Sequence, residues 1–157
     1  MKTITKTLFY LQMAAMLATA TFASPSGSNK EAPFRGSFEG TEIQETVPDG
    51  FLAILDASGN ASHLGRFALV LELHVSADLS SAVATIELIA ANGDSIFGDV
   101  QGVATPIGPT TLSIEENVTI TGGTGRFANA GGHLIVKRLV DLITGFSSGS
   151  FDGVINK

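Results

Sequence analysis

Apolar and polar residues alternate along most of this chain, and glycine-containing turn sequences divide it into short segments. These segments are rich in Val, Ile, Thr and Phe, the composition of β-strands, and turn dipeptides such as Asp49-Gly50 and Asn92-Gly93 separate them. Strands are predicted over residues 34–46, 51–56, 60–76 (bent, or in two pieces), 82–90, 95–105, 111–121, 132–140 and 146–155. Short strands at regular spacing predict an all-β protein, either a sandwich or a barrel.

One segment allows a second interpretation. Leu79, Val83, Ile86 and Ala90 fall close to helical spacing, as in an amphipathic helix. Several residues of the segment are β-branched, however, and lose side-chain freedom in a helix. The Asn92-Gly93 that follows is the turn sequence most typical of a β-hairpin. We therefore predict a strand.

Two short sequences each occur twice. Gly36-Ser37-Phe38-Glu39-Gly40 is matched by Gly149-Ser150-Phe151-Asp152-Gly153 near the other end. In a strand the glycines and the Phe share one face, so each Phe can cover a glycine of its neighbour. We expect the first and last strands to pair and close a barrel.

A second repeat is formed by Gly65-Arg66-Phe67-Ala68 and Gly125-Arg126-Phe127-Ala128. We expect each Gly to have an unusual backbone angle and each Phe to lie at a barrel end.

The N-terminal residues have the features of a secretory signal peptide. Lys2 and Lys6 precede an apolar run too short to span a membrane, and Thr21-Phe22-Ala23 offers a cleavage site. We predict a signal peptide over 1–23, a flexible leader over 24–33 and the barrel domain over 34–157. The protein is then exported, to the periplasm or the cell exterior, and intact mass of the exported protein should lack residues 1–23.

Charge and composition narrow the partners and cofactors. Without the signal peptide the chain keeps seven of nine basic and all fifteen acidic residues, a net charge of about −8. Such a charge argues against nucleic acid as a partner, and no membrane span is predicted.

The sequence predicts neither a metal site nor a cofactor. The chain has no cysteine, and Glu72-Leu73-His74 supplies too few ligands for a metal. Gly123-x-Gly125-x-x-Ala128 fits a dinucleotide fingerprint, but Gly131-Gly132 would end its helix after about one turn, so we predict a glycine-dictated connection and no cofactor.

The best candidates for acid–base chemistry are Glu72, His74 and Glu87. Glu72 and His74 alternate with the apolar face formed by Leu69, Leu71, Leu73 and Val75, and Glu87 follows in the next strand. Paired carboxylates beside a histidine could act as acid and base if they were buried. The leucine face makes the better core, so we expect the three polar residues to face outward and to be dispensable.

Three stretches resemble known families. Residues 120–127 look like the glycine-rich segment of plant dirigent proteins, and His63-Leu64-Gly65-Arg66-Phe67 and residues 92–109 resemble exported bacterial proteins of the allene oxide cyclase-like barrel group. The resemblance implies an eight-stranded antiparallel barrel, often a trimer, whose lumen in some relatives admits an apolar ligand. Dirigent proteins steer radical coupling without oxidising anything, and allene oxide cyclase closes a ring in a fatty-acid derivative. The functional acids of neither family match residues here.

These observations favour a non-enzymatic role, either binding of an apolar small molecule or a structural or interaction function. The alternative is an isomerase or cyclase acting on an apolar substrate in the barrel lumen, as in allene oxide cyclase. A ligand-sized cavity in the lumen with a carboxylate inside it would favour chemistry, whereas a lumen filled by Leu, Ile and Phe would favour a structural role.

Overall fold

A computed structural model describes residues 30–77 and 82–157. The predicted signal peptide and most of the predicted leader lie outside the described residues. Within the described ranges, no helix is long and apolar enough to cross a membrane.

Eight antiparallel strands form one closed barrel in which each strand pairs with its neighbours in sequence and the last pairs with the first. The fold prediction is confirmed, and the described part of the segment with helical spacing, Ala82–Ala90, is a strand. The strands are β1 (Ala32–Val47), β2 (Gly50–Ala61), β3 (Gly65–Ser76), β4 (Ala82–Ala90), β5 (Ser95–Pro106), β6 (Thr111–Gly123), β7 (Gly131–Asp141) and β8 (Phe146–Asn156), with a 3-10 turn at Gly125–Phe127.

The predicted boundary between the second and third strands is wrong. Ser58-Gly59-Asn60 is not a turn but lies inside β2, and the turn follows at residues 62–64. Gly59 pairs with Phe38 on one side and Phe67 on the other. A Cβ on Gly59 would lie 1.9 Å from the carbonyl oxygen of Ser37 and 2.9 Å from Cζ of Phe67. The glycine is there because the neighbouring strand and ring leave no room for a side chain.

The repeated glycine–phenylalanine sequence closes the barrel as predicted. In the β1–β8 pair, Gly36 lies opposite Phe151 and Phe38 lies opposite Gly149. A Cβ on Gly36 would lie 2.6 Å from Cζ of Phe151. Each ring therefore lies beside a glycine across the seam, a packing in which an aromatic side chain shields bare backbone.

Apolar side chains fill much of the lumen. We call the end with residues 62–64, 91–94 and 124–130 the terminal end, because both barrel termini lie there, and the other the hairpin end. Five buried phenylalanines join the larger core cluster: Phe34, Phe38, Phe67, Phe127 and Phe151. A smaller cluster of Ala104, Leu112, Ile114 and Val140 lies toward the hairpin end.

The second repeated sequence also behaves as predicted. Gly65 and Gly125 have φ values of 72° and 54°, the left-handed region that glycine tolerates best. Phe67 and Phe127 are both buried. Phe127 belongs to the 3-10 turn in the β6–β7 connection, so its ring contributes to the core from the terminal end.

Candidate functional site

The three residues predicted as acid–base candidates lie on the outer wall of the barrel. Glu72 is exposed, and Glu87 on β4 lies opposite Val70 and therefore diagonal to Glu72. His74 contacts neither: its Nε2 lies 3.4 Å from Oδ1 of Asp49. The barrel does not bring these three side chains into one enclosed site, and their dispensability stays a prediction.

The dinucleotide-like segment forms a connection between two strands. Gly125–Phe127 makes a single 3-10 turn, and β7 begins at Gly131. A pyrophosphate in a dinucleotide fold binds at the N-terminus of a full helix, which this described segment does not form. No group of three or more potential metal ligands from His, Cys, Asp and Glu occurs among the residues that the structure describes.

Sequence reasoning missed a cluster of charged side chains inside the barrel. Arg138 on β7 points into the lumen between Glu42 on β1 and Glu116 on β6. Its Nη1 lies 2.7 Å from Oε2 of Glu42, and its Nη2 lies 3.0 Å from Oε1 of Glu116. The side chains of Arg138, Glu42 and Glu116 are 3%, 5% and 7% exposed, so the cluster is buried. We call these three residues the ion cluster.

Further hydrogen bonds complete the ion cluster. Arg138 donates from Nε to both carboxylate oxygens of Glu116 and from Nη1 to Oγ of Ser147. Gln44 donates from Nε2 to Oε1 of Glu42, so that every oxygen of the two carboxylates accepts a hydrogen bond. Burial by itself would lower the pKa of the Arg138 guanidinium, but the charges and hydrogen bonds of Glu116 and Glu42 outweigh burial and raise that pKa.

Two glycines make space for the ion cluster. A Cβ on Gly102 would lie 2.7 Å from Cγ of Glu116, and one on Gly149 would lie 2.6 Å from Cβ of Arg138.

The sequence contains a pattern from which two of these buried charges could have been predicted. Arg138 and Glu116 occupy inward positions between apolar residues of their strands. The ion cluster joins β1, β6 and β7, and its hydrogen bond to Ser147 adds β8. Both carboxylates are therefore paired with Arg138.

A solvent-open depression with a volume of about 860 Å³ lies on the outer wall of β1–β4, toward the terminal end. We call it the outer groove. One row of its lining residues crosses the sheet as Glu39, Ser58, Ala68 and Ile89, each opposite the next. The small side chains of Ser58 and Ala68 stand between larger ones on β1 and β4, which produces a trough. A second row crosses β1, β2 and β3, and it consists of Ser37, Asn60 and Arg66.

Comparison with known proteins supports the fold. No protein-family model and no curated protein matches this sequence. Among solved structures, the pterocarpan synthase dirigent protein GePTS1 is similar over 90% of this chain and 98% of its own, with a TM-score of 0.59 and 14% sequence identity. The chain has a dirigent-like barrel fold. At this identity the dirigent-like barrel is a statement about architecture, and the dirigent neighbour's activity does not transfer with it.

Proposed function

We propose that this protein is an exported, non-enzymatic barrel that binds an apolar small molecule in the outer groove. The observation that carries the proposal is the groove itself. Its volume of about 860 Å³ lies within the range of small-molecule sites, roughly 300–1,000 Å³. Ala68 and Ile89 give it an apolar side, and Ser58 and Asn60 add a few polar groups for orientation. The signal-peptide features of residues 1–23 support the exported location.

The interior of the barrel supports a non-enzymatic role. An isomerase or cyclase in the lumen would need both room for substrate and a carboxylate able to exchange a proton. Phenylalanine and aliphatic side chains occupy much of the lumen, and Glu42 and Glu116 are bound by Arg138. Because the dirigent neighbour is named a pterocarpan synthase, the enzyme alternative remains the competing proposal for the lumen.

The groove proposal predicts saturable binding of a neutral apolar probe. Phenylnaphthylamine should bind the wild-type protein at one site, with fluorescence enhancement on titration. Ser58→Arg should weaken this binding at least about tenfold, because the long side chain fills the trough and can pair with Glu39 opposite it.

The matched control is Ser150→Arg, an exposed serine on β8 that does not line the groove. It should leave the dissociation constant within about twofold, a change of roughly 0.4 kcal/mol. Absence of saturable binding to the wild type, or equal weakening by both variants, would contradict the proposed site.

A specific observation favours a second function, self-association. Three exposed apolar side chains, Ile43, Leu139 and Phe146, lie on the outer wall of β1, β7 and β8, and Ile143 in the adjoining turn is 78% exposed. We call these four residues the apolar stripe. The cross-strand partners of Phe146 and Leu139 are uncharged. They are Thr41 and Ser148, respectively. In a chain with a net charge near −8, an exposed apolar area is where a second copy meets less repulsion, and the family resemblance also implies oligomers.

Light scattering tests the stripe as an interface between copies. The wild-type protein should have the mass of more than one barrel, and Phe146→Glu should reduce it to one barrel by placing a charge in the buried contact. Phe97→Glu changes an exposed Phe on β5 outside the stripe and should keep the larger mass. A wild-type protein with the mass of one barrel would rule out self-association.

A further inference from the structure

Arg66 differs from the other arginines that the structure describes. Arg35 contacts Asp152 at 2.8 Å, Arg126 lies 3.7 Å from Asp94, and Arg138 belongs to the ion cluster. Arg66 lines the outer groove, and no carboxylate of the described residues lies within ion-pair distance of it. Its guanidinium therefore keeps its full set of donors for a ligand.

The groove has opposite charges at opposite ends. Arg66 lies on β3 opposite Asn60, and Glu39 lies on β1, two strands away and in the other row of lining residues. Strands are spaced about 4.8 Å apart, so the two charged residues are about 10 Å apart across the sheet. They form no ion pair, and Ser58 and Ala68 lie between them. A ligand in the groove would meet a cation at one end and an anion at the other.

The apolar side of the groove adjoins the cationic end. Ala68 follows Arg66 on the same face of β3, and Ile89 lies opposite Ala68 on β4. The anionic end adjoins serine side chains on β1 and β2. A guanidinium binds a carboxylate, sulfonate or phosphate with paired hydrogen bonds and is less strongly hydrated than an ammonium group, so it suits an anionic group next to apolar surface.

From this arrangement, and resting on the proposed function, we propose that the outer groove selects an amphiphile with a single anionic head group. The head group binds the Arg66 guanidinium, with the Asn60 amide as a second donor, and the apolar body lies along Ala68 and Ile89. Glu39 repels the head group and so fixes the direction in which the molecule lies.

Two fluorescent probes with the same aromatic skeleton test the selection. Anilinonaphthalene sulfonate carries a sulfonate and phenylnaphthylamine does not. Arg66→Gln should raise the dissociation constant of the sulfonate about tenfold, while that of the neutral probe changes less than about twofold. Added salt should weaken binding of the sulfonate by the wild type and have little effect on Arg66→Gln.

The control is Arg35→Gln, which removes an exposed arginine of β1 that lies outside the groove lining. It should leave the affinity of both probes unchanged. If the neutral probe binds the groove but Arg66→Gln does not discriminate between the probes, the head-group proposal is wrong and the groove remains a binding site. If Arg35→Gln weakens the sulfonate equally, a general charge effect explains the binding and the proposal also fails. If neither probe binds saturably, the proposed function fails with it.

Discussion

Replacement of Arg138 by Met should destabilise the barrel by about 3–5 kcal/mol, the usual cost of removing one partner from a buried ion pair. Methionine fills much of the same volume but leaves Glu42 and Glu116 buried without a cation. Each carboxylate would then have to keep an uncompensated charge away from water or take up a proton. Urea unfolding measures the change, as a lower midpoint with an unchanged slope.

The neighbouring residue provides a control for the Arg138 variant. Lys137 contacts Glu115 at 3.2 Å, and both side chains are exposed. Lys137→Met should cost less than about 1 kcal/mol because surface ion pairs contribute little. A cost for Arg138→Met as small as that of Lys137→Met would show that the ion cluster does not stabilise the barrel.

Two further measurements identify the cause of the loss in Arg138→Met. Lowering the pH protonates the stranded carboxylates, so the variant should recover part of its stability in acid relative to the wild type. The triple variant Glu42→Leu, Glu116→Leu, Arg138→Met removes all three charges and should be much more stable than Arg138→Met alone. If the triple variant were as unstable as the single one, packing and not charge would account for the loss.

The second large effect is expected where β6 ends and the β6–β7 connection begins. A Cβ on Gly123 would lie 2.1 Å from the carbonyl oxygen of Ser95, and neither backbone can move without disturbing the sheet. Gly123→Ala should therefore destabilise the protein by about 2–3 kcal/mol or more. Gly125→Ala adds a different cost, because Gly125 has a φ of 54° and its new Cβ would lie against the carboxylate of Asp94.

Gly93→Ala separates backbone strain from steric conflict. Gly93 has a φ of 88°, but no atom lies within 4 Å of the position of its Cβ. Its substitution should cost only about 1–2 kcal/mol, the penalty for a side chain in the left-handed region. Chemical denaturation of the three variants should rank Gly93→Ala as the mildest. A Gly123→Ala protein as stable as the wild type would contradict the close packing of this connection.

The sequence predicts this fold well because one face of every strand is buried. The alternation of Leu69, Leu71 and Val75 with polar residues fixes which face of β3 points inward, since a one-residue shift would expose all of them. The β1–β8 pairing could be predicted because its glycines and phenylalanines complement each other. The extent of β2 could not be predicted in this way. Glycine is typical of a turn, and only the neighbouring Phe38 and Phe67 explain why Gly59 lies inside a strand.

The candidate sites depend on contacts that a linear sequence does not reveal. Arg138 is 96 residues from Glu42 and 22 from Glu116, and barrel closure together with strand register brings them together. The outer groove arises from small side chains on neighbouring strands, each of which is ordinary in its own strand. Surface candidates such as Glu72 could be identified from the sequence because they are polar residues between apolar neighbours. The outer groove could not, because residues of several strands form it together.

Our proposal places the ligand on the outer wall of the barrel and not in its lumen. Amide chemical shifts of the isotope-labelled protein, measured during titration with phenylnaphthylamine, distinguish these two locations. We expect saturable shifts concentrated at Ser58, Ala68 and Ile89, with small changes at Val118 and Val136 in the lumen. Shifts concentrated at Val118, Val136 and Arg138, with the groove residues unchanged, would contradict the proposal and place the ligand inside the barrel.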